Sequence, residues 1–206
     1  MTELPRTRLS LVVRLRDAGD AAAWRAFVDV YAPAVFAFAR RHGLQPADAA
    51  DLTQDVCRNV STALRDARYD PDRGRFRAWL FAVVRNQLKM FRRTQSRHPR
   101  GAELPPDLAD GSDDEAWDLE CRRRLFAWAC DRVKPTVSPA TWTAFWRTAV
   151  DRKGGEAVAA ETGLRPAAVY MARGRVLAKL RLAVAEVDEE SGETSTLRKS
   201  VDPSEK

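Results

Sequence analysis

Histidine is almost missing from this 206-residue chain, which has only His42 and His98, and cysteine occurs three times, as Cys57, Cys121 and Cys130. A structural zinc site needs four suitably spaced ligands. The sequence offers neither Cys-x-x-Cys nor His-x-x-x-His, so no metal is expected. Acid–base and nucleophilic catalysis have as little to work with, because there is no phosphate-binding Gly-rich loop and no Ser/His/Asp arrangement. A non-enzymatic chain without a cofactor is the expectation. Three scattered thiols read as reduced and buried rather than disulfide-bonded. No apolar run comes near the ~18 residues of a membrane span. The opening MTELPRTRLSLVVRLRDAGD mixes charge into its apolar stretch and lacks a signal-peptide core. A cytoplasmic protein with no membrane insertion follows as the expectation.

What is present is a soluble, ordered composition. Hydrophobic residues make up 45% and charged residues 31%, too rich in both for a disordered or collagenous chain. A net charge of +6 favours anionic partners. Apolar spacings of three and four recur throughout and no segment alternates like a strand, so the fold class is all-α. Asp20 is placed to cap a helix carrying Trp24, Phe27, Val28, Tyr31, Val35 and Phe38, with Gly43 ending it and Pro33 predicting a kink or break. A second helix starts near Pro46 and carries Leu52, Val56, Val60 and Leu64 on one stripe. After turn chemistry at 68–75, a third places Phe76, Leu80, Val83, Val84, Leu88 and Phe91 inward.

Charge then changes sign along the chain. From Arg85 to Arg100 there are six Arg or Lys residues and no acid, whereas Pro99 to Cys121 holds eight acids against one base. The second stretch, with Pro105, Pro106, Gly101 and Gly111, reads as a flexible linker. Beyond it come a stripe of Trp117, Cys121, Leu125 and Trp128, and a Ser138-Pro139 helix start before Trp142, Phe145, Trp146 and Ala149. Helices over about 156–162 and 166–184 follow. The expected organisation is an N-terminal segment (1–19), a helical domain (20–93), an acidic linker (94–114), a second helical domain (115–184) and a polar tail (185–206) predicted to be disordered.

Three segments carry chemistry. In EAVAAETGLRPAAVYMARGRVLAKLR, Ala159, Gly163 and Val169 meet the spacing of a helix-turn-helix: a small residue at the crossing, a turn glycine and an apolar residue on the second helix. Leu164 to Leu182 holds five basic residues and no acid, so Arg173, Arg175, Lys179 and Arg181 can reach phosphates unopposed. DNA binding is favoured there over an ordinary helical hairpin. FRAWLFAVVRNQLKMFRR interleaves aromatics with Arg77, Arg85, Lys89, Arg92 and Arg93, a pattern that suits unstacked bases and phosphates as well as it suits core packing. Trp79 is the aromatic expected to be partly exposed. In DAADLTQDVCRNV, Asp48, Asp51, Gln54 and Asp55 share one side of a helix. That side could be a solvated face, a docking surface for a basic helix, or the start of a divalent-metal nuclease site with nothing to complete it.

Taken in order, these motifs resemble the extracytoplasmic-function class of bacterial sigma-70 initiation factors. DLTQDV is similar to the family's D-x-x-Q-E-V, and FRAWLFAVVRNQLKMFRR to F-x-x-W-L-x-x-I/V-x-R-N closed by a basic pair. The helix-turn-helix resembles the family's region 4. The resemblance implies that Asp51, Gln54 and Asp55 face the clamp helices of the polymerase β′ subunit. It implies capture of melted −10 DNA by Tyr69, Arg73, Arg77, Trp79, Arg85, Asn86, Lys89, Arg92 and Arg93. It also implies contact with the −35 element by Arg165, Tyr170, Arg173, Arg175 and Lys179, with the flanking helices on the β flap. Core RNA polymerase, promoter DNA and an anti-sigma factor are the implied partners. The chain departs from the family at Asp55, where glutamate is usual, and at Val169-Tyr170-Met171-Ala172, where V-K-S-R is typical. A free-standing helix-turn-helix regulator is the alternative, and it would leave DLTQDV and the aromatic-basic helix without a purpose.

Overall fold

The structure, a computed structural model, describes residues 11–70, 75–96 and 112–187. Among them it forms helices and no strand, as the periodicity predicts. The acidic linker between 97 and 111, Arg73 and the tail from 188 lie outside the described residues. The chain divides into two compact units, Met1–Leu125 and Phe126–Lys206.

The first unit begins with a short helix, α1 (Leu11–Leu15), which buries Leu11, Val12 and Leu15 and packs on the next two helices. Leu11, Val12 and Leu15 thus belong to the core of the first unit. Arg14 reaches both oxygens of Asp20 at 2.8 and 2.9 Å. The same carboxylate accepts the Ala23 N–H at 2.9 Å and caps α2 (Ala21–Arg41), and Arg14 holds the Asp20 carboxyl below the usual carboxylate range.

Pro33 does not break α2. The ring removes the bond that its N–H would have made to the Asp29 carbonyl. Tyr31, Ala34 and Val35 around it are all buried, so the core holds the two halves in one helix. By length and composition α2 is also apolar enough to cross a membrane, contrary to the expectation that no such run exists. Five of its large apolar residues face the bundle: Phe27, Val30, Tyr31, Val35 and Phe38 are each at most 4% exposed.

Gly43, with φ of 87°, turns the chain after α2 in the left-handed region. It leads into α3 (Pro46–Arg65), started by proline at its first turn and buried along Ala49, Leu52, Val56, Val60 and Leu64. α4 (Phe76–Ser96) packs against α3. Leu80, Val84 and Leu88 are its buried stripe, with Val83 and Phe91 half-buried at the edge. Phe81 is buried on a different side, edge-on to Phe38 at 5.3 Å.

α5 (Ser112–Val133) serves both units. Its first half puts Trp117 into the first core, where the indole stacks on Phe81 at 5.3 Å and meets Phe38 edge-on at 6.0 Å. At its N-terminus the buried Asp113 lies 3.4 Å from His42 Nε2 and 3.9 Å from Arg41. Its second half puts Ala129, Cys130 and Val133 into the second core with Phe145, Val176 and Leu180.

The second unit continues through α6 (Pro139–Phe145), whose N-cap Ser138 accepts the Thr141 N–H, into a wider π-turn over Trp146–Val150. α7 (Gly155–Thr162) and α8 (Pro166–Ala185) complete it. Cys121 and Cys130 are buried free thiols and Cys57 is half-buried; burial pushes Cys130 up to about 11 and raises Cys57 as well. Both thiols stay protonated near neutral pH, which suits packing better than chemistry.

Candidate functional site

The buried stripe of α3 dictates what the helix shows to solvent. With Leu52 and Val56 inward, Asp51 and Gln54 are exposed and Asp55 is about half exposed. Arg58 bridges the pair, 2.7 Å from Asp55 and donating to the Gln54 side-chain oxygen at 3.3 Å. Asp51 is thus the carboxylate of the three that this bridge leaves out. Beside it lies an open apolar groove of about 760 Å³ between α2 and α3, lined by Val28, Ala32, Pro33, Phe36, Ala50 and Cys57. Val28, one of the apolar residues that the helix period picks out, is 42% exposed and lines the groove with Phe36. Sequence reasoning missed this apolar half of the surface. The available signal was that α2 carries apolar residues around more of its circumference than one buried stripe requires.

Of the nine residues assigned to single-stranded DNA, Arg73 lies outside the described residues and the other eight separate by burial. Asn86, Lys89 and Arg93 are exposed on α4. Trp79 is half-buried, within 5.2 Å of Tyr69 and 5.5 Å of Phe76. Arg85 is half-buried with its guanidinium over the Phe81 ring at 5.6 Å, and Arg92 donates to the His42 carbonyl at 3.4 Å. Tyr69 and Arg77 are not on the surface. Tyr69 is 6% exposed because its ring closes an aromatic cluster with Phe76 and Trp79, tying the chain after α3 to the start of α4. Arg77 is 8% exposed, and its carbonyl accepts the Trp117 indole N–H at 3.3 Å. Neither can contact a strand in this arrangement. Regular spacing of basic residues told nothing of the side of α4 that α5 would cover.

In the second unit the helix-turn-helix geometry is met residue by residue. Gly163 ends α7 with φ of 71°, the left-handed turn for which only glycine has no penalty. Ala159 and Val169 are buried together with Ala144, Val158 and Ala172, where α7 and α8 meet α6. An ion network braces the outer side of α7: Arg147 bonds Asp151 at 3.0 Å and Glu161 at 2.9 Å, while Lys153 bonds Glu161 at 3.1 Å. Lys153 holds the Glu161 carboxyl below its ordinary range.

On α8, Arg173 and Arg175 are exposed, as is Arg165 at the cap position. Tyr170 is 58% exposed, its ring resting on Gly155, where an added Cβ would lie 2.7 Å from the phenol. Lys179 is half-buried and donates to the Thr136 hydroxyl at 3.0 Å.

This arrangement offers one acidic-apolar face on α2–α3, one basic-aromatic face on α4, and a basic second helix on a left-handed turn. Residues 27–98 match the family described as Sigma-70 region 2. Over 182 residues, 85% of this chain and 90% of the other, the sequence is 25% identical to the ECF RNA polymerase sigma factor RpoE of Cereibacter sphaeroides. A solved structure described as CnrH in complex with the cytosolic domain of CnrY is 26% identical, with 85% of this chain and 95% of that one covered and a TM-score of 0.35. The helices α2–α4 are therefore a sigma-70 region 2 domain. Over most of its length the chain is similar to an RNA polymerase sigma factor of the extracytoplasmic-function class.

Proposed function

We propose that this chain acts as an RNA polymerase sigma factor that docks on core RNA polymerase through the α2–α3 face, opens the −10 element on α4, and reads the −35 element with α8, itself catalysing nothing. Asp51, Gln54 and Asp55 meet the clamp helices of β′, and the neighbouring groove of Val28 and Phe36 takes up apolar side chains from the same partner. A docking face that pairs buried apolar area with a few charged groups gains affinity from the first and orientation from the second.

On α4, Asn86, Lys89 and Arg93 follow the backbone of the displaced strand, with Trp79 the platform for an unstacked base. Removing a base from the duplex costs a few kcal/mol, which stacking and phosphate contacts offset. Arg85 and Arg92 border this surface, and Arg73 belongs to the turn that precedes it.

Arg165, Tyr170, Arg173, Arg175 and Lys179 position α8 in the major groove, and the helices flanking it in the second unit, α5 and α6, meet the β flap. The stretch 94–114 is the connector, its negative charge keeping it from competing for promoter DNA. An anti-sigma factor that covers either docking face is the regulatory partner of this scheme, and the cytoplasm is where it operates.

The observation that carries the proposal is the region 2 match falling on helices whose outward faces are acidic-apolar on one side and basic-aromatic on the other. Run-off transcription with purified core polymerase, with and without this protein, on fragments of its own genome tests it. Discrete transcripts sharing upstream sequences at −35 and −10 are expected. A protein that neither binds core nor directs transcription would leave α7–α8 as the DNA-binding part of a free-standing regulator.

A further inference from the structure

The N-terminal part of the outward face of α8 is made of small and apolar residues. Val169, Ala172, Val176, Leu180 and Ala183 are its buried stripe. At 100° per residue, the opposite side carries Ala167, Met171, Gly174, Ala178 and Leu182, all five exposed, and the exposed Arg181 joins them only in the last turns of the helix. Met171 and Leu182 are 65% and 63% exposed, the two most exposed large apolar side chains among the described residues. Not one of the five can donate or accept a side-chain hydrogen bond, apart from the weak thioether acceptor of Met171.

Apart from Arg181 near the C-terminal end, the polar groups of α8 stand to the sides of this strip. Arg173 and Arg175 flank it, and Tyr170 turns its ring onto Gly155 at the start of α7. A Cβ added at Gly174 would meet nothing within 4 Å, so the backbone there stands open to close approach.

We propose that Met171 is a specificity-determining residue that selects thymine in the upstream promoter element by packing against its 5-methyl group. This rests on the reading of α8 as the −35 helix. In the major groove thymine alone presents a methyl group, and an apolar side chain is the contact that distinguishes it. Met171 lies in the second turn of a helix that begins at Pro166, within the N-terminal part that a helix-turn-helix directs at base edges. Its unbranched thioether adapts to an irregular surface and buries readily. The acid-free run from Leu164 to Ala185 fits this strip to DNA better than to a protein partner, because the arginines beside it are matched to phosphates. Sequence preference at this element then comes from methyl contact and close backbone approach at Gly174, with the arginines fixing register.

Deoxyuridine differs from thymidine in the base by that methyl group alone, which makes the test direct. Holoenzyme assembled from the full chain and core polymerase selects its preferred −35 sequence from duplexes randomised over that element. Each selected thymine is then replaced singly by uracil. The wild-type holoenzyme should lose about fourfold in affinity at one or two positions, the worth of one buried methyl group. With Met171→Ala, and equally with Met171→Gln, the loss at those positions should shrink below twofold, while other base substitutions keep their penalties. Uracil tolerated at every position, or a penalty that Met171→Ala leaves intact, overturns the proposal and spares the −35 assignment. Holoenzyme that transcribes with no preference at all upstream overturns both. If Met171→Ala instead changes the sedimentation of the free chain and leaves the uracil penalty untouched, the strip is a contact between copies and the proposal fails.

Discussion

The indole N–H of Trp117 donates to the backbone carbonyl of Arg77 at 3.3 Å, while its ring stacks on Phe81 with 21° between the planes. One side chain thus ties the first half of α5 to the helix that carries the basic-aromatic surface. The same contact places the indole edge against the backbone of Arg77, which is 8% exposed.

Trp117→Ala should therefore destabilise the first unit by ~3–5 kcal/mol, the range for truncating a large buried aromatic. Trp117→Phe keeps most of the packing and leaves the Arg77 carbonyl without this donor, so about 1–2 kcal/mol is expected. Denaturant unfolding followed by circular dichroism measures both. Equal losses for the two variants would assign the effect to the hydrogen bond and not to the ring.

The Trp117 contact also marks where the sequence stopped being informative. Helix stripes, the Asp20 and Ser138 caps and the Gly163 turn were all readable because each is a local matter of periodicity or of φ. The burial of Tyr69 and Arg77 was not readable. The first depends on how the chain after α3 folds back onto Phe76 and Trp79, the second on which helix covers α4 at Arg77, and the stripe Trp117–Cys121–Leu125–Trp128 announces a helix without saying what its two halves pack against. The exposure of Val28 was no more readable, because an apolar residue at helical spacing looks the same in a core and on an open groove.

A pH response is built into the His42–Asp113 contact. Burial lowers the His42 pKa below its ordinary value, Arg92 and Arg41 lower it further, and Asp113 opposes them. A histidine depressed in the folded state contributes its full stability above the unfolded pKa, near 6.5, and loses it as pH falls below that value. Melting temperature should thus drop more steeply below pH 6.5 in the wild type than in His42→Asn. Asp113→Asn removes the one raising charge and should move the NMR titration midpoint of His42 lower still. A midpoint that rises in that variant would contradict the assignment of Asp113 as the stabiliser of the charged ring.

Asp51→Arg should weaken binding to core polymerase at least tenfold, since it reverses a charge on an exposed face and leaves the α3 stripe untouched. Gln54→Ala should have a smaller effect. Phe36→Asp tests the apolar half of the same face, and a loss comparable to Asp51→Arg is expected from the groove geometry. Competition pull-downs with core polymerase measure all three; unchanged affinity in the first and third would remove α2–α3 from the interface.

Promoter opening and promoter binding should separate on α4. Lys89→Ala combined with Trp79→Phe keeps an aromatic ring against Tyr69 and Phe76 but removes an exposed cation and narrows the platform. Permanganate footprinting should show open complexes reduced several-fold, with closed-complex affinity within about twofold. Equal losses in both would show that this surface acts on duplex DNA.

Arg173 and Arg175 stand exposed on either side of the apolar strip of α8. If each neutralises one phosphate, its removal lowers the slope of log affinity against log salt by ~0.9, because one fewer condensed counterion is released. The double variant Arg173→Ala/Arg175→Ala should therefore flatten the slope by about 1.8 for −35 duplexes, and by the same amount for unrelated sequences. Phosphate contacts carry no base information, so the preference among −35 sequences should survive while overall affinity falls. Fluorescence anisotropy across a salt series gives both quantities at once. A preserved slope with altered preference would place these arginines on base edges, and the apolar strip between them would no longer be the part of α8 that discriminates.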